Sequence, residues 1–176
     1  MSQVISFSAR LIGFLPNMRR FSISLTGSPD IADDLVQTAC ERALAHQESF
    51  DPDTRFDAWI FRIIRNLWID QVRRIRTAGP REEIDNHAAV LGVGGEGDAL
   101  ARMELKEVAT AMASLSADQR EVLVLVCIED FSYRDAADML DLPIGTVMSR
   151  LARARKNLAI ASGIIQGKDR SSDEKG

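Results

Sequence analysis

Along most of the chain, apolar residues recur at spacings of three and four, the pattern of amphipathic helices. The clearest case runs from Phe56 to Trp68, where Phe56, Trp59, Ile60, Ile63, Ile64, Leu67 and Trp68 make one broad stripe. Arg62, Arg65, Arg73, Arg74 and Arg76 occupy other positions of that helix, opposed only by Asp57 and Asp70, and a polar loop, Asp51 to Arg55, precedes it. Upstream, Val4–Phe14 and Pro16–Leu25 carry the same spacing, and Pro16 is expected to start the second helix or to kink the pair. Gly27 reads as a stop and Ser28-Pro29 as a start, a serine N-cap with proline at the first helical position. The helix that follows places Ile31, Leu35, Val36, Cys40, Ala43 and Leu44 on one face, with Asp33, Asp34, Gln37, Thr38 and Glu41 largely off it.

Periodicity lapses between Thr77 and Ala99, where Gly79-Pro80 is followed by glycines at Gly92, Gly94, Gly95 and Gly97. Such a composition makes a tether rather than a packed element, and therefore a domain boundary. Helical spacing resumes through Leu100, Met103, Leu105, Val108 and Met112. Ser116 followed by Gln119 is a capping-box pattern ahead of the apolar run VLVLVC, and Ser132 starts a further helix with Ala136, Ala137 and Leu140 inward. After the turn Asp141-Leu142-Pro143 comes a last helix, to about Ala161. At 100° per residue, Ile144, Val147, Leu151, Ala154 and Leu158 form its core face, while Thr146, Ser149, Arg153 and Lys156 lie opposite and Arg150 flanks them. Two helices joined by a tight turn, the second longer and basic, form a helix-turn-helix pattern. Small hydroxyls and arginines suit a major groove, where Arg reads guanine bidentately and cations hold phosphates.

Composition narrows the classes. With 45% hydrophobic and 27% charged residues the chain matches a soluble globular protein, and no apolar run approaches the ~20 residues of a membrane span. The N-terminus has no signal-peptide pattern, so a cytoplasmic location is expected. Cys40 and Cys127 both fall on apolar helical faces and are expected to be buried free thiols. His46 and His87 are isolated, so no metal site is expected, and no phosphate loop or nucleophile elbow is present; neither cofactor nor enzymatic chemistry is expected. The net charge of −4 conceals a segregation, acidic over 30–57 and basic over 62–76 and 150–156. Because screening confines charge effects to roughly 8 Å at physiological salt, local field decides, and two signs imply two kinds of partner.

Three stretches in order, DIADDLVQTACERAL from Asp30, SFDPDTRFDAWIFRIIRNLWIDQVRR from Ser49 and LSADQREVLVLVCIEDFSYRDAADMLDLPIGTVMSRLARARKNL from Leu115, resemble the extracytoplasmic-function, or group IV, sigma factors of bacterial RNA polymerase. The resemblance covers residues 7–160. It implies an all-α fold of two small helical domains: sigma-2 at 1–76 and a sigma-4 helix-turn-helix domain at 100–162, with a flexible linker at 77–99 and a disordered tail at 163–176. It further implies that Asp33, Asp34, Leu35, Gln37 and Thr38 dock on the clamp helices of the polymerase β′ subunit, with the β flap as a second contact. Reading of the −10 element maps onto the loop from Phe50 to Phe56, with Asp51, Asp53, Thr54 and Arg55, and onto Asn66, where a flipped base is held. Unstacking that base costs on the order of a few kcal/mol, recovered by stacking and hydrogen bonds, for which an asparagine amide offers both donor and acceptor. Arg62, Arg65, Arg73 and Arg74 are expected on phosphates, and Trp59 and Trp68 in the core. In sigma-4, Thr146, Met148, Ser149, Arg150 and Arg153 are expected on the −35 duplex. Met148 departs from the Lys or Arg of many relatives, which puts the −35 sequence in question but not the role. An anti-sigma partner is expected, the general-stress subgroup of α-proteobacteria is the suggested relation, and insertion into a membrane is not expected. Two other readings remain, a sigma-like protein that sequesters an anti-sigma factor and a stand-alone helix-turn-helix regulator.

Overall fold

The computed structural model describes residues 6–77 and 110–162. Six α-helices account for most of them, and among the described residues there is no strand. Helix α1 spans Phe7–Thr26, α2 Pro29–Ala45 and α3 Phe56–Thr77, with a 3-10 turn at Gln47–Ser49 before the loop to α3. After a helical turn at 110–113 come α4 (Ala117–Cys127), α5 (Tyr133–Leu140) and α6 (Ile144–Ala161). Val4, most of the 77–99 tether, residues 100–109 and the tail from Gly163 lie outside the described residues.

Local signals explain most boundaries. Ser6 caps α1 by accepting from Ala9 N–H at 3.2 Å. Gly27 ends it in the left-handed conformation at φ 68°, its N–H reaching Ile23 C=O at 2.9 Å. Ser116 and Gln119 form both bonds of the capping box, and Ser132 caps α5 through Asp135 N–H at 3.0 Å. Ser28 stands at the N-cap of α2 ahead of Pro29 but makes no side-chain cap bond; the Thr26 hydroxyl instead bridges Ser28 N–H and C=O.

Several expectations are corrected. Pro16 neither starts a helix nor divides two, because α1 runs through it as one element of 20 residues. The apolar face of α2 is rotated: Ala32, Leu35, Ala39 and Ala43 are buried and Leu44 is 43% exposed, since small side chains let α1 approach closely. Phe61, absent from the expected stripe of α3, is fully buried. Ile144 is 47% exposed at the mouth of α6, so the core face begins at Val147. Cys127 is exposed and Cys40 half-buried, both free thiols.

Helices α1, α2 and α3 pack into one bundle, and α4, α5 and α6 into a second. The two are not independent bodies. Helix α4 lies against both α1 and α6, and α5 touches α3. Val122, Leu123, Val124 and Leu125 are therefore buried on consecutive positions, and one continuous core runs through both bundles.

Candidate nucleic-acid and polymerase interfaces

The loop before α3 is a tight turn built on Asp51. Its carboxylate accepts from Asp53 N–H at 3.0 Å, and its carbonyl accepts from Thr54 N–H at 2.9 Å and the Thr54 hydroxyl at 2.7 Å. Asp51, Asp53, Thr54 and Arg55 are exposed. Underneath, Phe7, Phe50, Phe56 and Trp59 interlock with ring centroids 5.4–6.3 Å apart, and the Arg10 guanidinium sits 4.3 Å over Phe56. Trp59 and Trp68 both pack against the core.

Two residues of the expected contact sets are core instead. Phe56 and Leu35 are each 4% exposed, so they anchor the loop and α2 rather than present a surface. Their neighbours Asp33, Asp34, Gln37 and Thr38 are exposed on α2. Asp33 is held by Arg19 through bonds of 2.7 and 3.3 Å, while Asp34 and Thr38 rim a groove against Leu67, Asp70 and Arg74 of α3.

On α3, Arg62, Asn66 and Arg73 fall within about 40° of one another at 100° per residue, one exposed strip along the helix. Arg74 is also exposed, about 80–120° around the helix from that strip and on the groove shared with α2. Asn66 is ten residues beyond Phe56, about 15 Å at 1.5 Å per residue, so the structure does not bring it into one pocket with the loop. A pocket of about 470 Å³ does lie against the loop, lined by Ser49, Asp51, Thr54, Arg55, Trp59 and Arg62. Its opposite wall is α5, through Asp135, Asp138 and Met139.

The arginines nearest that wall are engaged. Arg55 pairs with Asp57 at 2.6 Å and Asp135 at 3.1 Å, and lies 4.1 Å over the Phe131 ring. Burial pushes the Asp57 carboxyl up, but the Arg55 fork and the Ala58 N–H outweigh it and hold its pKa below the usual carboxylate value. Arg62 donates to Asp138 C=O at 3.2 Å, and Arg65 to Glu121 at 2.9 Å. Glu121 is 5% exposed, and burial, only partly countered by Arg65, pushes its pKa up.

In the second bundle, Asp141 ends α5 in the left-handed conformation at φ 55° and turns the chain into α6. Val147, Leu151 and Ala154 bury one face of α6. Met148, Ser149 and Arg153 stand exposed on the other with Lys156, and Thr146 is half-buried. Arg150 is tied to Asp118 of α4 at 2.8 Å, which fixes it at the flank of the reading face.

Glu129, Arg20, Asn17, Arg120 and Glu121 were not singled out from sequence, although they form the contact between bundles. The available signal is VLVLVC, apolar at successive positions where a helix with one buried face would interpose polar residues at its 3.6-residue period, which marks α4 as covered on more than one side.

Two family descriptions match the chain: "Sigma-70 region 2" over residues 13–77 and "Sigma-70, region 4" over 105–158. The chain is 40% identical over 149 residues to the ECF RNA polymerase sigma factor EcfG of Rhodopseudomonas palustris, covering 85% of this chain and 81% of the relative. Among solved structures it resembles the sigma factor RpoE in complex with the anti-sigma factor NepR from Bartonella quintana, with TM-score 0.70 and 36% identity, covering 91% of this chain and 98% of that one. It shares its fold, at 21% identity and TM-score 0.63, with a PhyRSL–NepR complex from Sphingomonas sp. Fr1, over 97% of this chain and 98% of that one. No helix among the described residues is long and apolar enough to cross a membrane. With both regions present in order and the likeness spanning most of each chain, this protein belongs to the extracytoplasmic-function sigma factors, the subunits that bind core RNA polymerase and direct it to promoters.

Proposed function

We propose a division of that work among named residues. The exposed face of α2, Asp33, Asp34, Gln37 and Thr38, docks on core polymerase. The loop Asp51–Arg55, with Arg62, Arg65, Asn66, Arg73 and Arg74 on α3, holds the −10 strand during melting, the arginines on phosphates and Asn66 on a base edge. Helix α6 reads the −35 duplex through Thr146, Met148, Ser149, Arg150 and Arg153, with Met148 supplying an apolar contact such as a thymine methyl takes. The working units are a sigma-2 domain ending near Thr77 and a sigma-4 domain extending to about residue 162. The chain acts in the cytoplasm, carries no catalytic residue of its own and is held in check by an anti-sigma factor, a partner class found with its relatives.

One observation carries this reading: the turn at Asp141 leads into a helix whose buried face is apolar and whose outward face carries Ser149, Arg153 and Lys156 without an acid. The deciding experiment is run-off transcription with core polymerase, with and without this protein, on its own upstream region and a panel of candidate promoters. A promoter-dependent transcript and co-elution with core are expected. Neither appearing, while an anti-sigma factor is still bound, would replace this reading with that of a sigma-like sequestering protein.

A further inference from the structure

Another pocket, of about 400 Å³, opens between α1 and the start of α3, and shares Arg55 with the one walled by α5. Its walls are Arg10, Gly13 and Phe14 of α1 together with Arg55, Phe56 and Asp57. Spaced three and four apart, Arg10, Gly13 and Phe14 occupy one face of their helix. Arg55 and Asp57 are joined at 2.6 Å, so their wall carries little net charge. Arg10 differs. Its guanidinium lies 4.3 Å over the Phe56 ring and 5.7 Å over that of Phe50, it is exposed, and among the described residues no carboxylate pairs with it. Stacking orients this cation without neutralising it. Phe14 is half-buried, near-perpendicular to Phe56 at 5.7 Å and tilted against Phe61 at 5.3 Å, which makes it a fixed ring bordering the cavity.

Gly13 is the informative member. It stands inside α1, where glycine is less favourable than any residue but proline. Its conformation does not demand glycine, since among the described glycines only Gly27 has a positive φ. Packing does not demand it either: a Cβ added at Gly13 meets no atom within 4 Å. The space in front of Gly13 is the pocket, and a residue without a side chain lets a ligand approach the helix backbone there.

We propose that this pocket takes one nucleotide of the promoter strand held by the adjacent loop, its base against Phe14 over Gly13 and its phosphate on Arg10. A cation beside an aromatic platform holds single-stranded nucleic acid because every base has a π-face and every link a phosphate. Helix α1 thereby joins the loop and α3 in gripping the opened strand. The inference rests on the assignment of Asp51–Arg55 to the −10 strand, and the shared Arg55 makes the two sites continuous.

The test uses the full-length chain assembled with core polymerase, and fluorescence anisotropy of a −10 non-template oligonucleotide. Gly13→Ala and Gly13→Leu fill the pocket stepwise from a position where the added Cβ is free. Both residues are better helix formers than glycine, so the thermal midpoint should hold or rise. Oligonucleotide affinity should nevertheless fall, several-fold for Gly13→Leu and less for Gly13→Ala. Arg10→Gln should lower the slope of log affinity against log salt by about 0.7, the worth of one single-strand phosphate, which loss of ring packing alone would not do. A series of oligonucleotides with one abasic site at each position should reveal a base whose removal weakens binding several-fold in wild type and not in Gly13→Leu. Unchanged affinity in Gly13→Leu overturns the proposal, as does an unchanged salt slope in Arg10→Gln. Should Gly13→Leu fail to assemble with core polymerase, the pocket serves a protein partner and the nucleotide is ruled out. If Arg62→Ala and Asn66→Ala weaken oligonucleotide binding while Gly13→Leu does not, the α1 pocket alone falls; if none of the three does, the −10 assignment itself has failed.

Discussion

Single side chains decide which surfaces can read DNA. Arg153 is exposed on α6 with no acid on its face, so Arg153→Ala is expected to weaken −35 duplex binding by ~1–3 kcal/mol, the worth of a bidentate base contact. Titration of a labelled duplex measures this, and an unchanged affinity removes Arg153 from the reading face. Asn66 is exposed between Arg62 and Arg73 on one strip. Asn66→Ala is expected to lower promoter opening, read by permanganate reactivity of unpaired thymines, while co-elution with core polymerase stays normal. Equal loss of both would assign Asn66 to polymerase binding instead. By contrast, Phe56 contributes by packing: inside the ring cluster under Arg10, it sets the path of a loop whose tip is closed by Asp51.

Elements obey local chemistry where it is strong and tertiary packing where it is weak. The Ser116–Gln119 box is legible in sequence and both of its bonds form. Ser116→Ala should cost ~1 kcal/mol and lower the thermal midpoint by a few degrees, as calorimetry would show. Pro16 is the opposite case. Its ring denies the Ile12 carbonyl a partner, yet α1 continues because Leu11, Met18, Phe21 and Leu25 are buried along its length. Since Pro16 is exposed, Pro16→Ala restores that bond without disturbing the core and should raise stability by ~1–3 kcal/mol. A fall in the midpoint would mean that the proline ring itself is needed for the fit of α1 against both bundles.

At the scale of the whole molecule, burial of Glu121 gives folding stability a pH dependence. The groups facing its carboxylate are Arg65, Asp118 and Arg150, and desolvation outweighs the cations, so its pKa in the folded chain lies above its ordinary 4.5. A group whose pKa is raised by folding binds its proton more tightly in the folded state. Its contribution to stability is therefore full below the ordinary value and lost as pH rises through the raised one. Thermal unfolding followed downward from neutral pH should recover that contribution, and Glu121→Gln should flatten that part of the profile. Asp57 acts in the opposite sense. Its depressed pKa makes its support of the loop present above the ordinary carboxylate value and lost only as pH falls through the lower one.

Periodicity, caps and turn residues are local, and from them the sequence by itself determined the helical class, the starts of α2, α4 and α5, the helix-turn-helix and the basic outward face of α6, while it divided α1 in two at Pro16. A helix stripe can be read from spacing when one side is buried, as for Val147, Leu151 and Ala154. It fails when a helix is covered by two neighbours. Phe61 is buried between Phe14 and Phe21 of α1 and Phe131 of the second bundle, Leu123 lies on a helix covered by both α1 and α6, and Glu121 meets Arg65 of α3, a residue more than fifty positions away. Charge is equally silent on its partner: Arg62 and Arg65 read as phosphate ligands and Arg55 as part of the −10 loop, and only the tertiary structure decided that the Asp138 carbonyl, Glu121 and Asp135 accept from them. Pairing energy depends on distance and burial, and neither is a property of residues taken one at a time.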